Sequence, residues 1–592
     1  MTASAGSDGY ESLPFATPEK RRRYDTARYP GAIGLNWYAA DPTLRQIVRF
    51  HMDEDQLSWA EPRFHRLGEL TGGPVARRAE ETDRNPPRLE RYDRWGHDVS
   101  EVVMPTSFLE SKRDLLEAGF QLPSIRREAA AAGVNLAAPQ AVWSYLLDQA
   151  EIGMACALGT GGDMVERLVE RFAPDDVKAR VLPKLESGEW IGDTAQSLTE
   201  RAGGSDLAQL ETTATPDGDA WRLNGLKWFV SNANGNAWVV LAKPEGAPDS
   251  GRGIANFLVL RERRDGSHNG IRIRRLKDKL GTKAVASAEV EFVDAEAFIL
   301  AEAPGSGPSG GSEAGGSGGL ARMMELTNGA RLGIAMMGLG CARRALVESL
   351  LYASAREAFG RPLVDQPLMR RKLVEMIVET EAVQALVFDG WIRRHRLTAP
   401  LVKLRAARFG ITAASDAIEV HGGNGYCETW PVARILRDAQ VNTIWEGPDN
   451  ILCLDVRRAI ERDRAHVLLL DHIRRAVAAG PAGDPTTDLV ARRADELEAA
   501  VAAWSRLDRT VGEARLFELA GFMVDVLAGA LLVELAGWEQ STGAGDRKAL
   551  VARLYARSHL AGRSPLDAIG EAGDEALDRF KELVDGALVD NR

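Results

Sequence analysis

Three short stretches hold residue types whose spacing could do chemistry. The first is Leu198-Thr199-Glu200-Arg201-Ala202-Gly203-Gly204-Ser205-Asp206. It offers the Thr199 and Ser205 hydroxyls and the bare backbone of a Gly-Gly turn, which suits holding a polar ring or a phosphate and equally suits a polar turn beside a strand. The second is Gly225-Leu226-Lys227-Trp228-Phe229-Val230-Ser231-Asn232. Adjacent residues of a strand face opposite ways, so one aromatic packs the core while the other covers a flat ligand, or both are core. The third lies late in the chain: Glu419-Val420-His421-Gly422-Gly423-Asn424-Gly425-Tyr426, then Trp445-Glu446-Gly447-Pro448-Asp449-Asn450. Gly-Gly-Asn-Gly ends a helix and admits an anion or another subunit close to the backbone. A Glu446 buried by Ile444 and Trp445 has a raised pKa and can act as a general base; a helix-capping or ion-paired glutamate is the alternative.

Those stretches need elements to carry them. Up to about residue 190 the apolar spacing is helical, as in Val142-Trp143-Ser144-Tyr145-Leu146-Leu147, although the first hundred residues read as irregular and Asn85-Pro86-Pro87 breaks any helix there. From Gly192 to about Leu300 short alternating runs take over, among them Trp238-Val239-Val240-Leu241-Ala242 and Ala288-Glu289-Val290-Glu291-Phe292, punctuated by Asn234-Gly235 and Asp265-Gly266. Residues 303–319 are Gly/Ser-rich and lack the Lys-Ser or Lys-Thr of a phosphate loop, so they read as a linker. Long amphipathic helices return over 334–354, 368–394 and 402–420, which indicates a bundle. The breaker-rich Ala479-Gly480-Pro481-Ala482-Gly483-Asp484-Pro485 predicts that most of the last helical segment stands apart from it.

The expected fold is therefore α+β and multidomain. It has an N-terminal mostly helical domain over 1–192, a central antiparallel β domain over 193–300, a linker over 301–319, a helical bundle over 320–461 and an extra helical C-terminal segment over 462–592. A chain of 592 residues, 45% hydrophobic and 27% charged, is ordinary globular material. Its formal charge of −11 argues against a protein that coats nucleic acid. Four cysteines without CxxC spacing and nine histidines without HExxH predict neither a disulfide framework nor a metal site. Residues 1–23 lack the apolar stretch of a signal peptide, and the run 527–535, interrupted by Glu534, reads as a buried helix, so a cytoplasmic chain without membrane insertion is expected.

Taken together, the order and spacing of the three stretches resemble the acyl-CoA dehydrogenase superfamily over roughly residues 130–460. The AidB-like branch is resembled in Arg275-Leu276-Lys277-Asp278-Lys279-Leu280-Gly281, Gly425-Tyr426-Cys427-Glu428, Ile444-Trp445-Glu446-Gly447 and Asn450-Ile451-Leu452-Cys453-Leu454-Asp455-Val456, and in the extra C-terminal segment. The resemblance implies non-covalent FAD and a homotetramer whose flavin sites are completed across a subunit boundary. It places Leu198, Thr199, Gly204, Ser205, Trp228, Phe229, Ser231, Arg356, Phe359, Gly422, Gly423 and Asn450 at the flavin, and Ser205, Asn328, Arg331 and Gly447 at the substrate. It makes Glu446 the base that removes the α-proton of an acyl-CoA thioester. Ala330, before Arg331, stands where isovaleryl-type members carry their base, which leaves Glu446 as the candidate. Arg201 and Ala202 replace the family's Pro-Gly, Phe229 its Trp, and Pro448 its Thr or Ser.

The resemblance further implies an electron-transfer flavoprotein as electron acceptor. Two competing readings on the same fold are a flavin oxidase or monooxygenase and an AidB-like DNA-binding alkylation-response flavoprotein. Monooxygenase relatives usually lack the glutamate. Residues 462–592 hold 22 Asp plus Glu against 17 Lys plus Arg, a poor surface for DNA, and the basic run Lys20-Arg21-Arg22-Arg23 lies at the opposite end.

Overall fold

The computed structural model describes residue 29 and residues 31–300 and 319–592, apart from 121, 161, 249, 563, 565, 567, 568 and 570–572. The expected linker falls almost wholly outside the described residues, and Lys20–Arg23 does so entirely.

The first hundred residues are more regular than their composition suggests. Helices α1 (Pro42–His51) and α2 (Glu54–Leu70) start at Asp41 and Asp53, whose carboxylates accept the N–H groups of Leu44 and Gln56. A π turn over Thr71–Val75 leads straight into α3 (Ala76–Arg84), which ends where Asn85-Pro86-Pro87 forbids another turn. Its Gly72 allows close packing, since a Cβ there would lie 2.0 Å from the Leu35 carbonyl oxygen. A hairpin of β1 (Arg88–Tyr92) and β2 (Asp98–Val103) follows, then α4 (Thr106–Glu117), α5 (Pro123–Ala131), α6 (Ala137–Ala150), α7 (Ile152–Gly159), α8 (Gly162–Phe172) and α9 (Asp175–Glu186).

The middle region holds β3 (Thr194–Ser197), β4 (Thr213–Asp217), β5 (Ala220–Val230), β6 (Ala237–Pro244), β7 (Ala255–Leu260), β8 (Ile271–Leu276) and β9 (Ala288–Ile299). Pairings run β6–β4–β5–β9–β7 and back to β6, so five strands close on themselves, with β3 added to β6 and β8 to β9. The sheet is not purely antiparallel as expected: β3 and β4 both run parallel to β6. Strand β6 is buried on both faces. Trp238, Val240 and Ala242 join the interior of the closed sheet, while Val239 and Leu241 meet Val165, Val169, Val177 and Val181 of α8 and α9. The N-terminal hairpin docks here, the Ser100 hydroxyl accepting the Ile273 N–H at 2.8 Å.

The helical half is built on α10 (Gly319–Ala355), α11 (Pro367–Arg393), α12 (Thr398–His421), α13 (Pro431–Ala439) and α14 (Asp449–Glu461). Helices α10 and α12 pack backbone to backbone; a Cβ on Gly338 would come within 2.4 Å of the Ala406 carbonyl. The later helices are α15 (Ala465–Ala478), α16 (Pro485–Trp504), α17 (Arg509–Ala514), α18 (Leu516–Ser541), α19 (Arg547–His559), α20 (Glu575–Asp578) and α21 (Phe580–Ala587).

The C-terminal segment does not stand apart. Helix α18 is long and apolar enough to cross a membrane, yet 72% of its most apolar window is buried and it shares one hydrophobic core with α11, α12 and α6. Glu381 of α11 is gripped by Arg547 and Lys548 of α19, both Arg547 Nη2 and Lys548 Nζ lying at 2.5 Å. The tail reaches back to the start of the described chain: Arg592 donates to the Gly31 carbonyl and Val589 N–H to that of Ala40. Apolar burial of α18 outweighs the local helix break at 479–485, which merely turns the chain.

Candidate active site

Strand β3 leads into Leu198 and Thr199, and Trp228 of β5 donates its N–H to the Thr199 carbonyl at 2.8 Å. The turn beyond is tied by Glu200 N–H to Gly203 O at 2.9 Å, which leaves Gly204 and Ser205 exposed above Thr199. A Cβ on Gly204 would touch the Thr199 Cγ2 at 3.3 Å, so Leu198, Thr199, Gly204, Ser205 and Trp228 form one surface. Phe229 belongs to it and is 54% exposed. Half-buried Ser231 ends the strand, where left-handed Asn232 donates to Ala157 O and Thr194 O and so pins α7 to β3.

The two aromatics do not divide between core and ligand as strand alternation predicts. The β5–β9 register shifts between Lys227 and Val230, and both rings meet Lys277, whose Nζ lies 3.4 Å from the Trp228 centroid and 4.8 Å from that of Phe229. Lys227 takes the core position instead. Its ammonium is fully buried, 2.6 Å from Glu200 and 2.7 Å from the Leu241 carbonyl, and burial pushes its pKa down to about 8 against the opposing pull of Glu200.

Glu446 sits on the turn entering α14, with φ +54°, followed by Gly447 at +102°. Glycine adopts this conformation freely, but for Glu446 it is strained and neighbours must hold it. Arg331 of α10 donates to the Glu446 carbonyl at 3.2 Å, and Lys403 of α12 to the Gly447 carbonyl at 2.7 Å. The Glu446 carboxylate accepts the Gln196 amide of β3 at 3.2 Å, which joins the bundle to the sheet surface just described. Its burial does not come from Ile444, which is 64% exposed. Neither capping nor direct ion pairing describes it, since Pro448 caps α14 and Arg331 reaches its carbonyl. Desolvation pushes its carboxyl above the ordinary carboxylate range; Arg331, Lys403 and the Gln196 amide pull it part of the way back.

Arg331, expected to touch substrate, is 1% exposed and committed to Asp455 at 2.5 Å, to Asn328 Oδ1 at 3.1 Å and to the Glu446 carbonyl. It is a scaffold residue, and Asn328 belongs to that scaffold. Asn450 is exposed on the first turn of α14.

A second group forms around Tyr352. Helix α10 ends at Ala355, and Arg356 leads into a tight hairpin whose turn, Phe359-Gly360, has φ of +54° and +83°. Phe359 at its tip is 96% exposed. Asn424 donates to the Tyr352 hydroxyl at 3.1 Å and His421 stacks on its ring, which brings Gly422 and Gly423 beside the hairpin's root. A Cβ on either glycine would meet nothing within 4 Å. Sequence reasoning missed Gln196, Asn232 and Lys403; Lys403, set within Leu401-Val402-Lys403-Leu404, offered the one local signal, a charged residue in an apolar run.

Residues 29–190 match the N-terminal domain of the adaptive response protein AidB, 195–295 the acyl-CoA dehydrogenase middle domain and 317–461 the acyl-CoA dehydrogenase C-terminal domain. The chain is 37% identical to Escherichia coli AidB over 278 residues, 45% of this chain and 48% of that one, so the match spans about half of AidB. It is 31% identical to a Bacillus subtilis acyl-CoA dehydrogenase over 64% of this chain and 90% of the relative. Among solved structures, the apo form of Bd2924 superposes with a TM-score of 0.72 at 28% identity, covering 86% of this chain and 99% of the other. Caenorhabditis elegans ACDH-11, solved with C11-CoA, superposes with a TM-score of 0.79 at 24% identity, covering 91% and 94%. The chain belongs to the acyl-CoA dehydrogenase family of flavoenzymes.

Proposed function

We propose that this protein removes the α-proton of an acyl-CoA thioester through Glu446, in an FAD-dependent α,β-dehydrogenation. The observation that carries the reading is the Gln196–Glu446 hydrogen bond, 3.2 Å long, which sets a desolvated carboxylate against the surface of Leu198, Thr199, Ser205 and Phe229. The residues present suit a flavin. Exposed Phe229 offers a flat apolar cover, the buried Ser197 hydroxyl lacks a partner among the described residues, and Gly422 and Gly423 leave open backbone beside Arg356. Leu198, Thr199, Gly204, Ser205, Trp228 and Ser231 would hold the ring; Arg356, Phe359 and Asn450 would hold the remainder, and the Gly422-Gly423 turn would complete the site from a neighbouring copy in a homotetramer. FAD held there supplies the hydride acceptor, and an electron-transfer flavoprotein is the proposed recipient of the electrons.

The protein's own work is proton removal and orientation. A carboxylate drawn partly out of water is a stronger base than a solvated one, and the turn held by Arg331 and Lys403 fixes its direction. The N–H of Glu446 is the backbone donor available to the thioester carbonyl, where one such donor is typically worth ~3–4 kcal/mol at the developing enolate. The test is an anaerobic absorption titration of the purified flavoprotein with saturated acyl-CoAs of graded length and branching. Bleaching of the flavin band by one chain class is expected; a flavin that no acyl-CoA bleaches refutes the assignment. Light scattering of the flavin-loaded protein is expected to give a tetramer, and a monomer that retains FAD contradicts the shared site.

A further inference from the structure

Lys403 is fully buried, and its ammonium donates to the Gly447 carbonyl at 2.7 Å. Among the described residues no carboxylate lies within ion-pairing distance of it, although a neutral donor would serve a purely structural bond at far lower desolvation cost. The charges around Glu446 explain why a cation is kept there.

Arg331 on α10 is balanced by Asp455, which also binds Arg396, itself paired with Asp463. Asp449 at the start of α14 is bound by Arg408. Cys156 of α7 also faces the carboxylate, and burial pushes its thiol up to about 11, so it is neutral. Gln196 of β3 contributes an uncharged amide. Two arginines stand against two aspartates in the first cluster, and one against one in the second. Lys403, whose pKa burial lowers to about 8, is left below that pH as the unbalanced positive charge facing Glu446.

Resting on the dehydrogenase reading above, we propose that Lys403 is a positioning residue of the reaction. It holds the Glu446-Gly447 turn in its left-handed form, and its charge keeps the Glu446 carboxylate ionised within a desolvating site. It touches neither proton nor thioester and acts through Glu446 alone.

Two variants separate bond from charge. Lys403→Gln removes the charge and leaves an uncharged amide at the position; Lys403→Arg keeps a charged donor there. The readout is Glu446 ionisation, followed by pH-difference infrared spectroscopy of the purified protein, with the carboxyl band assigned by its loss in Glu446→Gln. The midpoint is expected to rise by about half to one unit in Lys403→Gln and to stay at the wild-type value in Lys403→Arg. At a pH below the wild-type midpoint, the Lys403→Gln rate with a bleaching acyl-CoA is expected to fall about threefold to tenfold, mainly in kcat.

An unshifted Lys403→Gln midpoint overturns the proposal, and so does a midpoint that rises equally in Lys403→Arg. If Lys403→Gln does not fold, Lys403→Met, which keeps the side-chain length without the charge, takes its place with the same two outcomes. Infrared shifts in a protein that no acyl-CoA reduces leave the electrostatic role standing and remove the dehydrogenase reading instead.

Discussion

Replacing Glu446 by Gln is the sharpest perturbation of this site, because the structure says what it leaves alone. The amide is nearly isosteric with the carboxylate. Its Oε1 can still accept the Gln196 N–H that now lies at 3.2 Å. Arg331 and Lys403 hold the turn through backbone carbonyls, which the substitution does not alter. Geometry and flavin retention are therefore expected to persist, and the whole loss should fall on proton abstraction. Removing a general base costs ~10²–10⁴ in rate, or roughly 3–5 kcal/mol of barrier.

The pH dependence carries a sign. Desolvation, the largest influence, raises the Glu446 carboxyl, so the wild-type reductive rate should climb with pH as the group ionises, while the variant stays low and flat. A raised pKa also means that the folded state binds the proton more tightly. This group's stability contribution is present below its ordinary pKa and is lost as pH rises through the folded value, so Glu446→Gln should be at least as stable as wild type at neutral pH. The assay is single-turnover flavin bleaching by acyl-CoA in a stopped-flow instrument from pH 5.5 to 9, with thermal unfolding in parallel. A variant that bleaches at the wild-type rate refutes the role given to Glu446.

Three further outcomes are expected. Glu381→Gln should destabilise by ~3–5 kcal/mol in urea unfolding, because it leaves Lys548 buried without its counter-charge. Burial raises the Glu381 carboxyl, but Arg547 and Lys548 overcome this and hold it at about 2, so the wild type should lose that stability as pH falls from its ordinary value towards 2, and the variant should lack this acid limb. Gly447→Ala places a Cβ 3.2 Å from Ile451 Cγ2 at φ +102°, and should cost ~1–3 kcal/mol in stability and lower kcat while FAD is retained. Gly423→Leu fills open space without disturbing the fold and should weaken FAD binding about tenfold by fluorescence titration, or ~1.4 kcal/mol; unchanged affinity would remove this turn from the flavin site.

The order helix, sheet, helix was legible because each periodicity is local: alternation over 288–292 and helical spacing over 402–420 are visible in a short window. What stayed hidden depends on partners far along the chain. Nothing near Lys227 announces that Glu200 will bury it; a lysine in an alternating strand reads as a surface residue until the register shift beside Val230 is seen. Gln196 and Glu446 are 250 residues apart, and Lys548 and Glu381 are 167 apart. The Gly-Pro run near 481 marks a real turn, but only the apolar surface of α18 decides that the chain folds back onto the bundle. Glu446 stands out in a motif, whereas Gln196 and Lys403, which the fold brings to its turn, carry no motif that marks them.

Several other carboxylates in this protein are raised by burial, and their hydrogen bonds separate them from Glu446. Glu151, pushed to about 7 first by burial and then by Asp438, caps α7 by accepting the Gly153 and Met154 N–H groups. Asp438, raised by burial and relieved by Arg434, accepts the Thr282 N–H. Asp148 is 4% exposed and lies against the backbone of Gly340, where a Cβ would meet its own at 2.5 Å. All three acids are buried, and backbone donors or backbone packing enclose them, so none turns an open side towards a substrate. Glu446 is half-buried on a turn that its neighbours grip by the backbone, and among the described residues Gln196 is the one donor to its carboxylate. A group held firmly by its main chain and loosely by its side chain can take a proton and lose it again without disturbing what holds it in place, which is what a general base requires.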